Sequence, residues 1–130
     1  MDSTNPAKTA YKKMLELYSA VQDDDEKAKY KEAAIEGYQR LGLFILLDKN
    51  YKTKVEAIDL FKKVLVLDPN NCQTKLWIAQ GYALSNLRDD AKAWYCKVNS
   101  ACGRSDPKVA ADAVKGLAGL GYTPEDCNGK

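Results

Sequence analysis

The chain has 130 residues, a net charge of +2 and 29% charged side chains, with basic and acidic residues intermixed along it. This length suits one domain that buries a core without needing metal or disulfides. The lack of a basic stripe argues against nucleic acid or an anionic membrane as a partner. The N-terminal segment does not show the pattern of an export signal. The longest apolar run, 41–47, is far below the ~20 residues that cross a bilayer, so we expect no membrane span.

The spacing of apolar residues predicts a row of helices. The first covers about 6–22, because Asn5 before Pro6 is typical of a helix start. The acidic run 23–26 then precedes a long second helix over 28–47. We interpret this run as a capping turn. A cation site is the alternative, although the run lacks the glycine and the distal glutamate of a calcium loop.

The stretch 41–47, LGLFILL, is predicted to be the C-terminal part of the second helix rather than a strand. Ile45 is its one β-branched residue, and no turn signal separates the stretch from the helix-forming residues before it. Turn signals divide the remaining chain into four further helices. These are predicted at 53–67, 73–85, 88–101 and from Pro107 to between Gly119 and Gly121. The polar segment 124–130 is expected to fray.

Two segments, 35–71 and 72–105, repeat one plan of helix, turn and helix. The first supplies Tyr38, Leu41, Gly42, Ile45, Ala57, Phe61, Val64 and Pro69. The second supplies Ile78, Ala79, Tyr82, Ala91, Tyr95 and Val98. This pattern resembles the tetratricopeptide repeat (TPR) family, whose unit of roughly 34 residues places aromatic, small and proline residues at such positions. The departures are a two-residue insertion around Thr53, Lys75 where a large aromatic is expected, and Gly103 where proline is expected.

The resemblance to the TPR family implies an all-α fold, a right-handed array of about six antiparallel helices. Gly42 and Ala79 would let paired helices approach closely, and Phe61 and Tyr95 would fill the space between hairpins. The implied single domain, 1–130, comprises an N-terminal helix (6–22), repeat one (35–71), repeat two (72–105), a capping helix (106–120) and a tail (121–130).

In the TPR family, the first helix of each pair lines a concave groove that binds peptides. The groove residues expected here are Gln39, Leu43, Leu46, Leu47, Gln73, Leu76, Trp77, Gln80 and Leu84. In the variant that grips chaperone C-termini, lysine and asparagine stand where this chain has Gln39, Leu43 and Trp77, so that ligand is disfavoured. The expected groove is an apolar trough with amide edges.

Leaving these leucines and an indole in water would forgo roughly 1.5–3 kcal/mol for each large side chain, so we expect something to cover them. One interpretation is a peptide or amphipathic helix from a partner protein. The alternative is that the first helix, the tail, a second copy of the chain or a neighbouring part of a longer TPR solenoid fills the trough.

The chain contains no histidine, which removes serine–histidine and cysteine–histidine nucleophiles and histidine-based metal sites. It also has no glycine-rich phosphate loop. Carboxylate acid–base pairs stay open, but the acidic residues fall on predicted caps and solvated helix faces. We therefore predict a non-catalytic adaptor or scaffold without a cofactor or metal.

The four cysteines, Cys72, Cys96, Cys102 and Cys127, show no C-x-x-C spacing, so free thiols are the default expectation. A disulfide between Cys72 and Cys102 is the alternative, because the start of the fourth helix and the end of the fifth lie together in an antiparallel pair. We expect a cytoplasmic protein by default. Such a bond would instead indicate an exported, for example periplasmic, protein whose signal has been removed.

Overall fold

All regular structure in the described part of the chain is helical. The structure is a computed structural model that describes residues 6–47 and 54–127. It contains α1 (Pro6–Ala20), α2 (Asp24–Lys29), α3 (Lys31–Leu46), α4 (Lys54–Leu67), α5 (Cys72–Leu84), α6 (Arg88–Cys102), α7 (Pro107–Gly119) and a C-terminal 3-10 turn (Pro124–Cys127). The prediction of an all-α protein is confirmed. None of these helices is long and apolar enough to cross a membrane.

The prediction of one continuous helix over 28–47 was wrong at its start, because the chain bends at Tyr30 between α2 and α3. The Tyr30 amide is shared between the carbonyls of Glu26 (3.3 Å) and Lys27 (3.2 Å), so hydrogen bonding continues while the axis changes. The short helix α2 buries none of its residues, whereas α3 carries a buried face. Packing against other helices therefore fixes the direction of α3 but not that of α2.

The acidic run before α2 caps that helix. Oδ1 of Asp23 accepts hydrogen bonds from the amides of Asp25 (2.8 Å) and Glu26 (3.3 Å). These two amides belong to the first turn of the helix and would otherwise have no acceptor within it. The capping interpretation of the run is confirmed by these contacts.

Each main helix packs on its neighbours along the chain: α1 on α3, α3 on α4, α4 on α5, α5 on α6 and α6 on α7, with a further contact between α5 and α7. Two clusters of buried side chains result. The first is centred on α1, α3 and α4 and includes Leu15, Tyr38, Leu41, Ile45, Phe61 and Val64. The second joins α5, α6 and α7 and includes Leu76, Tyr95, Val98, Val109 and Leu117.

Small residues set how closely these helices approach. A Cβ added to Gly42 would lie 2.5 Å from Cε1 of the fully buried Phe61, so α3 and α4 are in contact at this glycine. A Cβ on Gly116 of α7 would likewise collide with the ring of Tyr95 on α6. In both places an aromatic ring occupies the space that a side chain would need.

Replacing Gly42 with alanine is expected to lower the free energy of unfolding by about 1–3 kcal/mol, because the methyl group overpacks a filled site. Gly119→Ala is the matched control, since a Cβ there meets nothing within 4 Å, and alanine's helix preference should leave stability unchanged or slightly higher. Urea unfolding followed by circular dichroism measures both. A Gly42→Ala protein as stable as the parent would contradict the close packing against Phe61.

Lys54, the first residue of α4, is 5% exposed. Its ammonium group donates a hydrogen bond to the carbonyl of Leu46, the last residue of α3. Carbonyls at a helix C-terminus lack partners within the helix and carry the negative end of its dipole. Lys54 therefore supplies both a donor and a compensating charge at the junction between α3 and α4.

Lys54→Met should lower the free energy of unfolding by about 1–3 kcal/mol, because the aliphatic stem is kept while the Leu46 carbonyl loses its charged donor. The control is Lys108→Met, an exposed lysine in the first turn of α7, for which a change below about 0.5 kcal/mol is expected. Equilibrium urea unfolding of the two variants tests the difference. Equal losses would mean that the buried ammonium contributes nothing specific.

All four cysteines are paired, so the expectation of free thiols was wrong. The structure contains the Cys72–Cys102 bond, with its Cα atoms 6.0 Å apart, between the first residue of α5 and the last of α6. A second bond, Cys96–Cys127, has a Cα separation of 5.5 Å and fastens the C-terminal turn to α6. The expectation that the tail frays from Pro124 onward was therefore wrong as far as Cys127, and its last three residues lie outside the described ranges.

The two bonds close loops of similar length, with sequence separations of 30 and 31 residues, for which restriction of the unfolded chain gives about 3–4 kcal/mol each. The C-terminal turn buries none of its residues, so it can loosen without unfolding the helices. We expect the double variant Cys72→Ala/Cys102→Ala to lose most of that contribution to the free energy of unfolding. The double variant Cys96→Ala/Cys127→Ala should lose clearly less. Urea unfolding of both double variants, each against the oxidised parent, measures this. The reverse order would contradict it.

Candidate functional site

A groove of about 590 Å³ runs between α3 and α5. Its lining comes from one face of α3, the turn between α4 and α5, and the first half of α5. The lining residues are Glu32, Ile35, Glu36, Gln39, Arg40, Leu43, Asp68 and Trp77. The α3 members recur at helical spacing, opposite the buried Ala34, Tyr38, Leu41 and Ile45, so the groove face and the core face of α3 come from one amphipathic pattern.

The floor of the groove is apolar and fixed to the core. Ile35, Leu43 and Trp77 are half-buried and pack against the first cluster. The Trp77 ring lies 5.6 Å from the ring of Phe61, centroid to centroid, at an interplanar angle of 34°. A large aromatic held by such a contact keeps its exposed part in place, which lowers the entropy lost when a ligand binds.

A buried polar contact joins the two walls. Gln39 Nε2 donates to Thr74 Oγ1 at 2.9 Å, and Thr74 is fully buried in the first turn of α5. The Thr74 amide in turn donates to the side chain of Asn71 at 3.0 Å, which caps α5. Gln39 therefore ties the middle of α3 to the N-terminus of α5 and fixes the groove width there.

The rim carries three carboxylates and one guanidinium. Glu36 and Arg40 form an ion pair at 3.6 Å, with 62% and 58% of their side-chain surfaces exposed. Exposed pairs one helical turn apart contribute only about 0.3–0.5 kcal/mol, so both groups can exchange partners at little cost. Asp68, half-buried on the turn that leads into α5, accepts a hydrogen bond from the side-chain amide of Asn71 at 3.2 Å. Glu32 is exposed in the first turn of α3.

Of the nine predicted groove residues, Gln39, Leu43 and Trp77 line this groove. Placing Leu46 and Leu76 in it was wrong, because they are only 4% and 2% exposed. Leu46 belongs instead to the first cluster of buried side chains. Leu76 belongs to the cluster between α5 and α7.

Four further predicted residues lie outside the lining of the groove. Leu47 and Leu84 are exposed, at 78% and 55%, whereas Gln73 and Gln80 are half-buried. The apolar run at the end of α3 thus contributes only Leu43 to the groove. The other α3 residues that line the groove lie nearer the N-terminus of that helix.

Sequence reasoning missed the charged residues of the lining and Ile35. The signal was present, since steps of four residues back from Leu43 reach Gln39 and then Ile35, with Glu32 and Glu36 on the same face. The expectation of an apolar trough with amide edges was therefore wrong about the rim, which is charged.

Among 6–47 and 54–127, no group of three or more cysteine, aspartate or glutamate side chains could hold a metal ion. Burial raises the pKa of Tyr95 above the ordinary 10.0. Its ring packs against the position of Gly116 in the core, away from the groove, so this shift is a consequence of packing.

No family model, curated protein or solved structure matches the chain.

Proposed function

We propose that the protein is a non-catalytic interaction module, an adaptor or scaffold, that binds a segment of a partner protein in the groove between α3 and α5. The observation that carries this proposal is Trp77, half-buried at the groove floor and held against Phe61 at 5.6 Å. Tryptophan in a fixed, partly desolvated setting is the residue most often found to dominate binding energy. A volume of about 590 Å³ accommodates several side chains of a peptide or of an amphipathic helix.

We also propose that the helices form a TPR-like array. Three features support this: the order in which successive helices contact one another, the approach of α3 to α4 at Gly42, and the placement of Phe61 and Tyr95 between helices. In such an array α3 and α5 would present their free faces to the same side, which is where the groove lies.

The two disulfides favour an oxidising compartment for the proposed adaptor. All four cysteines are paired, and disulfides persist in the secretory pathway, the periplasm and extracellular space but are rare in reducing cytosol. We therefore propose an exported location in place of the cytoplasmic default. Mass spectrometry of the native protein after alkylation without reductant should show four unmodified cysteines, and alkylated thiols would contradict the proposal.

A second candidate function is self-association, or a structural role in a longer solenoid, and one surface favours it. An apolar notch of about 250 Å³ at the α1 end is lined by Met14, Leu17, Tyr18, Val21, Tyr30 and Ala33. Leu17 and Tyr30 in it are 60% and 51% exposed. Light scattering over a range of concentrations, for the parent and Leu17→Asp, decides this candidate. A dimer that Leu17→Asp abolishes would support it, and a parent that stays monomeric would rule out self-association.

Groove binding is tested by selecting a random dodecapeptide phage library on the immobilised parent protein and measuring each enriched peptide by fluorescence anisotropy. Trp77→Ala should weaken binding by tenfold or more, about the effect of losing an anchoring residue. Leu43→Ala, which removes apolar surface from the floor, should also weaken it. Trp94→Ala is the matched control, because Trp94 is also half-buried but lies outside the groove lining, and a change below about twofold is expected.

Circular dichroism and urea unfolding establish that each variant is folded at the assay temperature. Enriched peptides that bind Trp77→Ala and Leu43→Ala as tightly as the parent would overturn the proposed site. The proposed site would also be overturned if the library yielded no peptide whose binding is weakened by these substitutions.

A further inference from the structure

We propose that the partner segment is basic: an apolar anchor flanked by lysine or arginine side chains. This inference rests on the proposed function and deepens it by assigning the chemistry of the occupant. It arises from the contrast between the charge of the groove lining and that of the whole chain. The chain carries a net charge of +2, whereas the lining has three carboxylates against one guanidinium.

The three carboxylates lie on both sides of the apolar floor. Glu32 and Glu36 are one turn apart on α3, and Asp68 is on the turn that leads into α5. Among the described residues, Glu36 has an ion-pair partner in Arg40, while Glu32 and Asp68 have none. A ligand that brings cationic groups over the floor would therefore meet negative charge from both walls.

Asp68 stands between two helices, after the end of α4 and before the start of α5. Glu32 stands in the first turn of α3, where the helix dipole stabilises a carboxylate. Asp68 follows Leu67, the last residue of α4, and precedes Asn71, the N-cap of α5, so it lies between the negative end of one helix dipole and the positive end of another. Its contact with the Asn71 amide, at 3.2 Å, is to a neutral donor. A cation from a partner would give this carboxylate the oppositely charged group that it lacks among the described residues.

The floor defines the rest of the ligand. Ile35, Leu43 and Trp77 form an apolar strip between the charged walls, and an aliphatic or aromatic side chain would bury area there. The indole face also attracts a cation within about 6 Å. One apolar residue with lysine or arginine on either side satisfies the floor and both walls together, whereas an acidic segment would place like charges against each other.

The test reads the charge of peptides that the groove selects. Peptides enriched from the random dodecapeptide library are first sorted by whether Trp77→Ala weakens their binding. Among those sensitive to Trp77→Ala, lysine and arginine should exceed their frequency in the unselected library at least about twofold. Binding should weaken as salt is raised. Glu32→Lys/Glu36→Lys should weaken these same peptides by about tenfold, since several exposed pairs each contribute up to a few-fold.

The matched control is Glu56→Lys/Asp59→Lys on α4, which makes the same change in net charge at two exposed carboxylates outside the groove. Glu56, like Glu32, stands in the first turn of its helix, so the helix-dipole effect is also matched. This control should change affinity by less than about twofold, because distant exposed charges are screened. An equal loss in both double variants would show attraction by overall charge and would overturn the assignment to the groove.

The two proposals fail in different ways. Peptides that depend on Trp77 but show no enrichment in lysine or arginine would overturn the basic partner and leave the peptide-binding groove in place. Enrichment of glutamate and aspartate would do the same. If no selected peptide depends on Trp77, the groove itself is not the binding site and both proposals are wrong.

Discussion

Phe61 connects the close packing of the helices to the shape of the groove. Its fully buried ring occupies the space that Gly42 leaves open on α3 and meets the ring of Trp77 on α5. The approach of α3 to α4 and the position of the groove floor are thus set by the same side chain. Any change that moves Phe61 would shift Trp77, so the core and the candidate site cannot vary independently.

The two halves of the molecule are stabilised by different means. The first cluster, around α1, α3 and α4, depends on apolar packing and on Lys54 at the α3–α4 junction. The second, around α5 to α7, has in addition two disulfides that link α5 to α6 and α6 to the C-terminal turn. The groove lies where these halves meet, with α3 on one side and the cross-linked α5 on the other. One wall is thus held covalently to its neighbour, while the other depends on packing and on the contact between Gln39 and Thr74.

The helices could be predicted from the sequence because their apolar residues recur at a regular spacing. The bounds of α1, α5, α6 and α7 lie within one or two residues of those the pattern indicated. The bend at Tyr30 could not be predicted from the sequence, since a turn that keeps its hydrogen bonds leaves the spacing of apolar residues almost unchanged. Leu46 is buried because it joins the first cluster, which includes residues of other helices, and no pattern within α3 contains that information.

The sequence predicted only part of the candidate site, because the rest depends on contacts between helices. Gln39, Leu43 and Trp77 follow from the face of the helix on which they lie, but the walls depend on which turn of α3 stands opposite α5. The Cys96–Cys127 bond likewise required the tail to return to α6, a long-range contact that the spacing of cysteines does not reveal. Local pattern determines which face of a helix is free, and tertiary contacts determine what that face meets.

The charged rim and the apolar floor would have separate roles in the proposed complex. Rim groups such as Glu36 and Arg40 are more than half exposed, so each ion pair with a partner adds little affinity but guides its approach and excludes segments of the wrong sign. In the complex the floor would exclude water around Trp77, and most of the binding energy would arise there. Affinity would then be set by the fit of one apolar side chain, and selectivity by the charges beside it. A groove built in this way distinguishes partners chiefly by the residues that flank their anchor.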